Sequence, residues 1–287
     1  MPRRRQKAQD KNLAKKRQAE IRRRIGDQLA AEDLLDEAIA QYERATQLDG
    51  RNTEARVALA DAYFSAEMPA KAYRAYKKVL SINPRHADCH FSLAEFFLSI
   101  GRARAAMKAM RRAVECMPER TYYTYRLGEL HAMLGEKQEA EMRFCEAVAM
   151  SPEDPFYHYK LGELRFRQGR VAEAISSFEY ACAQAPADDF YHLRLATAYS
   201  RGDLPEEALR MYRRTVRIEP RNAAYRYLLA DHLAAMGLED EAQQHYMLAN
   251  PMTDYEWDYV RRIQARCRGD LEAIGAAPDE DARRPLE

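Results

Sequence analysis

Small and apolar residues recur along the chain with a period of 34 residues, from Ala19 to Glu256, without an insertion or a deletion. Within each period, positions 4, 7, 8 and 11 share one side of a helix, and positions 20, 24 and 27 share one side of another. This follows because side chains three, four and seven residues apart meet on the same helical face. Position 20 is alanine in all seven periods. Each repeat is therefore predicted to be a pair of helices joined by a short turn.

The sizes of the residues at fixed repeat positions predict how the two helices pack. Position 8 is always glycine or alanine, and position 24 is always large, from Tyr42 in the first repeat to Tyr246 in the last. Small residues let neighbouring backbones approach closely, and bulky residues fill the remaining space. Prolines at position 32 are expected to end the second helix. The glycines expected to end the first helix in the left-handed conformation are Gly101, Gly135, Gly169, Gly202 and Gly237.

The repeats divide the chain into four regions. Residues 1–18 are a basic N-terminal extension that precedes the repeats. Residues 257–268 carry apolar side chains at helical spacing and are predicted to be a capping helix over the last repeat. Residues 269–287 are acidic and contain two prolines, and we expect them to be disordered. The seven predicted repeats within 19–256 are 19–52, 53–86, 87–120, 121–154, 155–188, 189–222 and 223–256.

The repeat resembles a known family. The residues that carry the resemblance in two successive repeats are Leu127, Gly128, Ala140, Phe144, Ala147 and Pro152, followed by Leu161, Gly162, Ala174, Phe178, Ala181 and Pro186. They match the pattern of the tetratricopeptide repeat (TPR), although the family's usual tryptophan at position 4 is absent from every repeat. The resemblance implies an all-α fold, a right-handed superhelical solenoid of helical hairpins with a C-terminal capping helix. It also implies a protein that binds other polypeptides.

Positive charge is concentrated at one end of the chain. The net charge of +1 gives no general attraction to nucleic acid or membranes. Residues 1–25, however, hold eleven basic and two acidic side chains, a local charge of +9. Three interpretations of this segment stay open: an exposed extension of the first helix, an address or nucleic-acid contact, and a ligand for an acidic groove, including that of a second copy. The candidate contact residues are Arg3, Arg4, Arg5, Lys15, Lys16 and Arg17.

Cysteine usage and hydropathy predict a cytoplasmic protein with no membrane contact. The five cysteines are widely spaced and never form a C-x-x-C pair, which favours thiols in a reducing compartment. No apolar run approaches the roughly 18 residues that a membrane span needs. The basic N-terminus is not followed by the apolar stretch of a secretory signal.

No motif of a catalytic or cofactor-binding site occurs in the sequence. It has no glycine-rich phosphate loop, no H-E-x-x-H and no G-x-S-x-G. His86, Cys89 and His90 lie close together, but they straddle a repeat boundary and lack a fourth ligand for a metal ion. We therefore predict no enzyme activity, no cofactor and no metal site.

The TPR resemblance implies that positions 2, 5 and 9 of the first helices are exposed in a concave groove. Position 9 is a carboxylate in six of the seven repeats, and aromatic residues recur at positions 2 and 5. Such a groove suits a peptide with lysine or arginine and apolar anchors, because aromatic rings supply contact area and cation–π attraction. We predict a non-catalytic adaptor or assembly scaffold that binds its partner there. The predicted groove residues are Phe91, Glu95, Tyr122, Tyr125, Glu129, Phe156, Tyr159, Glu163, Phe190, Tyr227 and Asp231.

Two alternatives stay open. Arg126 with Glu129, and Lys160 with Glu163, are three residues apart and can neutralise each other, which would leave a solvated face without a ligand. The chain can also be an RNA-associated or complex-assembly protein that contacts its partner through the basic N-terminal segment. In that case the segment can also mediate self-association into a homo-oligomer.

Overall fold

The computed structural model describes the backbone of residues 2–269 and the side chains of residues 11–269. All regular secondary structure in this part of the chain is α-helical. The predicted disordered tail, 269–287, lies outside the described residues except for Gly269. The helices are α1 (Pro2–Ala31), α2 (Leu35–Leu48), α3 (Thr53–Ser65), α4 (Pro69–Ile82), α5 (Ala87–Ser99), α6 (Ala103–Cys116), α7 (Thr121–Met133), α8 (Lys137–Met150), α9 (Pro155–Arg167), α10 (Val171–Gln184), α11 (Asp189–Arg201), α12 (Pro205–Ile218), α13 (Ala223–Ala235), α14 (Glu239–Ala249) and α15 (Asp254–Arg268).

Consecutive helices pair within each of two compact units, which divide the described chain between residues 143 and 144. In the first unit α1 packs on α2, α3 on α4, and α5 on α6; in the second, α9 packs on α10, α11 on α12, and α13 on α14. Each second helix of a pair also packs on the first helix that follows it within its unit, as α10 does on α11. Helix α8 runs across the boundary between the units. The helical hairpins are those predicted from the 34-residue period.

Small residues occupy the closest contacts inside the hairpins. The alanine at position 20 is 0% exposed in six repeats and 2% exposed in the seventh. At position 8 of the fifth repeat, a Cβ added to Gly162 would lie 2.7 Å from ring carbon Cε1 of Phe178. Because cores are close-packed, a larger side chain at either position would force its neighbours to move.

The turn inside each described hairpin has a left-handed residue at position 15. Glycine fills this position in four repeats, as predicted, with φ between 72° and 79°. In the other three repeats Asp33, Glu67 and Asp203 have φ of 61°, 56° and 58°. The prediction for Gly202 was wrong, since its φ is −82° and the next residue is the left-handed one. The spacing from the helix end therefore sets the turn, even where a side chain opposes that conformation.

Position 4, where the family's tryptophan is missing, carries in five of the seven repeats an N–H donor that binds the end of the preceding repeat. Nε2 of His90 lies 3.0 Å from the carbonyl oxygen of Pro84, and Arg226 donates to the carbonyl oxygen of Pro220 at 2.6 and 2.9 Å. Because a carbonyl only accepts, the histidine must carry its proton on Nε2 in this contact. The same contact joins Arg56 to Gly50, His158 to Pro152 and His192 to Pro186. These donors replace the tryptophan with a hydrogen-bonded link between repeats.

Helix α1 is longer than the first helix of the other repeats. It runs for 30 residues from Pro2 to Ala31 without a break at the predicted boundary after residue 18. Residues 11–18 are all exposed, and Ala19 is the first buried side chain described. At 1.5 Å per residue, the helix upstream of Ala19 extends for about 25 Å. The basic segment is therefore helical and continuous with the first repeat.

The regular pattern changes at the C-terminal end of the second unit. Helix α14 ends at Ala249 after 11 residues, whereas α10 and α12 each have 14. Pro251 accounts for this, because proline lacks the N–H that a helix needs and restricts the residue before it. Helix α15 begins at Asp254, three residues before the predicted start at 257, with a capping box between Thr253 and Glu256. As predicted it packs on the last repeat, through α13, but it also packs on α11.

Candidate functional site

In the first unit, Arg126 of α7 joins two of the predicted groove carboxylates. Its Nη2 donates to Oε2 of Glu95 at 2.6 Å and its Nη1 to Oε2 of Glu129 at 2.7 Å. Burial lowers the pKa of Arg126, but the hydrogen bond to Glu95 and the charge of Glu129 outweigh burial, and the pKa rises. The internal pairing of Arg126 with Glu129, one of the alternatives from the sequence, is thereby confirmed. A basic ligand would have to compete with Arg126 for both carboxylates.

Aromatic residues of α5 and α7 pack against one another in the same unit. The ring of Phe91 lies 5.7 Å from that of Tyr122 and stacks on Tyr123 at 5.1 Å. Tyr125 lies 6.0 Å from Tyr122, and its hydroxyl donates to Glu129. The expectation that Tyr125 is exposed was wrong, because packing and this hydrogen bond leave it 3% exposed. Phe91 and Tyr122 are half-buried.

The position-9 carboxylates of the first two repeats accept hydrogen bonds from tyrosines of their own hairpins. The hydroxyl of Tyr42 donates to Asp27 at 2.9 Å, and that of Tyr76 donates to Asp61 at 2.5 Å. Burial raises the pKa of Asp61, partly opposed by the hydrogen bond from Tyr76. Asp61 therefore belongs to the packing of its own hairpin, whereas Asp27 has a side chain that is 42% exposed and also accepts from Arg23 at 2.6 Å.

In the second unit, Glu163 of α9 is surrounded by arginines. Both its oxygens accept from Nη1 of Arg266 on α15, at 2.9 and 3.2 Å. Arg194 lies 3.7 Å away and Arg167 lies 4.0 Å away. Burial raises the pKa of Glu163, but the three guanidinium groups lower it more, to about 2. The expected exposure of Glu163 was wrong, because α15 covers it and leaves its side chain 9% exposed.

Two further predicted groove residues of the second unit contact α15. The amide of Gln264 donates to Oδ2 of Asp231 at 3.1 Å. The ring of Trp257 meets that of Tyr227 edge to face, with 4.8 Å between the ring centroids. Asp231 and Tyr227 are both half-buried. The C-terminal helix thus occupies the face of the second unit where a ligand was predicted to bind.

The remaining aromatic groove residues of the second unit belong partly to the core. Tyr159 is 4% exposed, and the expectation that it faces a groove was wrong. Its ring packs 5.2 Å from Phe190 and 6.0 Å from Phe178. Phe156 and Phe190 are half-buried, and the guanidinium of Arg194 lies 4.7 Å from the Phe190 ring centroid. The chain itself therefore supplies a cation to this aromatic surface.

His86, Cys89 and His90 do not converge on a common point. Nδ1 of His86 accepts from the backbone N–H of Cys89, and the thiol of Cys89 lies 3.6 Å from the carbonyl oxygen of Tyr76. His90 binds the carbonyl oxygen of Pro84 instead. Within residues 11–269, no group of three or more His, Cys, Asp or Glu side chains is placed to hold a metal ion.

The basic segment presents its described side chains to solvent. Lys15, Lys16 and Arg17 are exposed on α1, as is Lys11. Arg3, Arg4 and Arg5 lie in the same helix, but their side chains are outside the described part. None of the helices in the part of the chain that the structure describes is both long and apolar enough to cross a membrane.

Comparison with known proteins identifies the repeat. The family model of the cilia and flagella-associated protein 70 C-terminal domain, a TPR family, matches residues 4–262. A search of curated proteins gave no match.

Three solved structures share the arrangement of helices at low sequence identity. The C-terminal part of a TPR repeat-containing protein from Cytophaga hutchinsonii has a TM-score of 0.68 at 17% identity, covering 82% of this chain and 98% of that one. PilF of Pseudomonas aeruginosa has a TM-score of 0.61 at 16% identity, covering 76% and 99%. YrrB, described as a TPR protein with an unusual peptide-binding site, has a TM-score of 0.52 at 19% identity, covering 68% and 97%. These likenesses show the TPR fold, and proteins of this fold mediate protein–protein interactions.

Proposed function

Because the chain belongs to the family of the cilia and flagella-associated protein 70 C-terminal domain, we propose that it is a non-catalytic adaptor or assembly scaffold. Its partner is a polypeptide with basic and apolar side chains, bound on the faces formed by the first helices of the repeats. The peptide-binding site named for YrrB belongs to that protein, and it supports the class of function proposed here.

One observation carries this proposal. In the second unit, the first-helix face already holds a segment with the expected chemistry: α15 buries Val260 and Ile263 against it and places Arg266 on Glu163. A surface that binds apolar and basic side chains within the chain has the chemistry to bind them in a partner. The face of α5 and α7 offers the same residue types, with half-buried Phe91 and the carboxylate of Glu95.

The test compares two charge-matched double variants in co-purification from the source lysate. The first, Glu95→Gln with Glu129→Gln, removes the carboxylates that α5 and α7 place on Arg126. The control, Glu115→Gln with Glu119→Gln, removes two exposed carboxylates at the end of α6. Because the first variant also leaves Arg126 without its carboxylates, circular dichroism must first show that both variants are folded at the temperature of the assay.

We expect the first double variant to lose a protein partner that the control retains. Direct hydrogen bonds to charged groups contribute about 1.5–3 kcal/mol, so the loss should exceed about tenfold. Retention of every protein partner by the groove variant would refute binding at these carboxylates.

A second candidate function rests on the exposure of the basic helix. Lys11, Lys15, Lys16 and Arg17 project from α1 into solvent, where they can contact RNA phosphates. Replacing the last three with glutamine should then weaken RNA binding and reduce its dependence on salt concentration. Recovery of the same protein partners after nuclease treatment and with the triple variant would exclude the RNA contact.

Self-association and cytoplasmic location are further parts of the proposal. Deleting residues 1–18 should lower the molar mass measured by light scattering if the basic helix joins copies; an unchanged mass would exclude that contact. The wide, unpaired spacing of the cysteines along the sequence supports a reducing compartment such as the cytoplasm.

A further inference from the structure

The C-terminal helix leaves the packing pattern of the repeats. Helix α11 packs on α10 and α13 packs on α12, each on the second helix of the preceding repeat. Helix α15 instead packs on the first helices α11 and α13. The early end of α14 at Ala249 and the connection of residues 250–253 bring it there. It therefore lies on the first-helix face and does not continue the array.

One side of α15 carries the side chains that hold it. Val260 is 0% exposed and Ile263 is 2% exposed, in a cluster with Leu193 and Leu229. Arg266 follows three residues later and reaches Glu163 on α9. Residues at intervals of three lie close together on a helix surface. The face thus binds a pattern of apolar, apolar and arginine, each three residues apart.

The contact between α15 and this face is open to solvent along one side. A cleft of about 270 Å³ lies beside the helix, and Trp257 remains 38% exposed. The repeats therefore do not enclose α15. The cleft is lined in part by Ser200, Tyr212, Leu228, Asp231, Gln264 and Cys267.

Glu163 keeps cationic neighbours when Arg266 is absent. Arg194 and Arg167 lie 3.7 and 4.0 Å from its carboxylate and belong to α11 and α9, not to α15. Removing one member of a buried ion pair is normally costly because it leaves an uncompensated charge. Here Arg194 and Arg167 still compensate the charge of Glu163 after α15 leaves, so its release does not create an unpaired buried carboxylate.

We propose that the surface of α9, α11 and α13 binds an amphipathic helix of a partner protein, and that α15 occupies this surface until the partner helix displaces it. The partner helix carries two apolar side chains and an arginine at the spacing of Val260, Ile263 and Arg266. This inference rests on the proposed function and names the partner chemistry for the second unit.

The probe is a labelled synthetic peptide of residues 253–269 with Cys267→Ser. A tethered segment has an effective concentration in the millimolar range, so the unaltered chain should bind this peptide weakly. In the full chain, the change Arg266→Ala weakens the attachment of α15 and leaves the surface of α9, α11 and α13 unaltered. We expect it to bind the peptide at least about tenfold more tightly than the unaltered chain, a tenfold ratio being 1.4 kcal/mol.

The matched control is the same peptide with Arg266→Ala. It should bind at least about tenfold more weakly to the loosened chain, because it cannot reach Glu163. Equal binding of the two peptides, or no binding of either, would overturn the proposal. In a chain with Ile263→Ala, α15 is weakened through its apolar contact instead. This chain should also bind the peptide with Arg266 more tightly than the peptide with Arg266→Ala.

Displacement itself is read from the reactivity of Cys267. Its thiol lies on α15, 3.6 Å from the hydroxyl of Tyr212. In an Arg266→Ala chain that also carries Cys116→Ser and Cys145→Ser, added peptide should accelerate its modification by a thiol reagent. The buried Cys89 and Cys182 should stay protected. No acceleration, or equal acceleration at all three thiols, would overturn displacement.

The outcomes separate this inference from the proposed function. Peptide binding with no protein partner recovered from lysate would leave the surface as an internal docking site and refute the adaptor function. A partner that binds equally to the unaltered chain and to the Arg266→Ala chain, with no peptide binding, would support the adaptor function and refute the role of α15.

Discussion

Replacing Glu163 with glutamine should destabilise the second unit in a manner that depends on pH. The carboxylate lies among Arg194, Arg266 and Arg167, and its side chain is 9% exposed. Glutamine has nearly the same shape but carries no charge. The change therefore leaves Arg194 and Arg266 buried without their carboxylate and alters packing very little.

The pKa of Glu163 sets the expected size of the effect. The difference between the ordinary value of 4.5 and about 2 in the folded chain corresponds to about 3 kcal/mol of stability at pH 7. A carboxylate with a lowered pKa contributes stability above the unfolded pKa and loses it as pH falls through the folded pKa. About half of the contribution should be gone at pH 3.

The assay is thermal unfolding followed by circular dichroism from pH 7 to pH 3, for the unaltered chain and for Glu163→Gln. At pH 7 the variant should melt about 5–10 °C lower, and the gap should narrow steadily below pH 4.5. The control Glu115→Gln removes an exposed carboxylate paired with Arg112 and should leave the midpoint nearly unchanged. A gap that is absent at pH 7, or that stays constant down to pH 3, would refute the assignment of the lowered pKa.

Three other substitutions test the packing of individual repeats by chemical denaturation. Tyr76→Phe should cost about 1–3 kcal/mol, because its hydroxyl donates to Asp61; an unchanged midpoint would contradict that role. Gly162→Ala should cost about 1–3 kcal/mol, because the added Cβ would lie 2.7 Å from Phe178. Full stability would mean that the ring moves without cost. Glu67→Gly should stabilise by about 1 kcal/mol, since its φ is 56°; a lower midpoint would show that the left-handed turn carries no strain.

The hairpins could be predicted from the sequence because their determinants are local and repeated. Alanine at position 20 and a large residue at position 24 define the same contact in every repeat. The contact is buried in the first six repeats, as at Ala174 and Phe178, and Tyr246 of the seventh is half-buried. The left-handed turn was predictable where glycine marks it. It was missed at Asp203, because an aspartate in that conformation gives no signal as strong as glycine does.

The position of α15 could not be predicted, because it depends on contacts between distant residues. Arg266 and Glu163 are 103 residues apart in the sequence, and periodicity carries no information about such a pair. The departure of Pro251 from repeat position 32 was a local signal that the last repeat ends early. It indicates where the pattern fails but not where the next helix lies.

The exposure of the groove residues was overestimated because the TPR resemblance gives each residue's place in the repeat but not the side chains that pack against it. Position 5 faces a groove in an average repeat, yet in this chain Tyr159 packs against the rings of Phe190 and Tyr191. Bulky residues at positions 2 and 3 of the next repeat bury it. Two rings in the next repeat therefore cover position 5 completely at Tyr159 but only partly at Phe91, which stays half-buried against Tyr122 and Tyr123.

The residue at position 24 decides, in the first five repeats, whether the carboxylate at position 9 accepts a tyrosine hydroxyl. In the first two repeats position 24 is tyrosine, and the aspartate at position 9 accepts its hydroxyl within the hairpin, although Asp27 also binds Arg23. In repeats three to five position 24 is methionine or phenylalanine and offers no donor, and position 9 is the longer glutamate. These glutamates are Glu95, Glu129 and Glu163, and each binds an arginine instead. A ligand with a basic side chain must therefore displace an arginine at each of these three carboxylates, whereas at Asp231 it competes with the amide of Gln264.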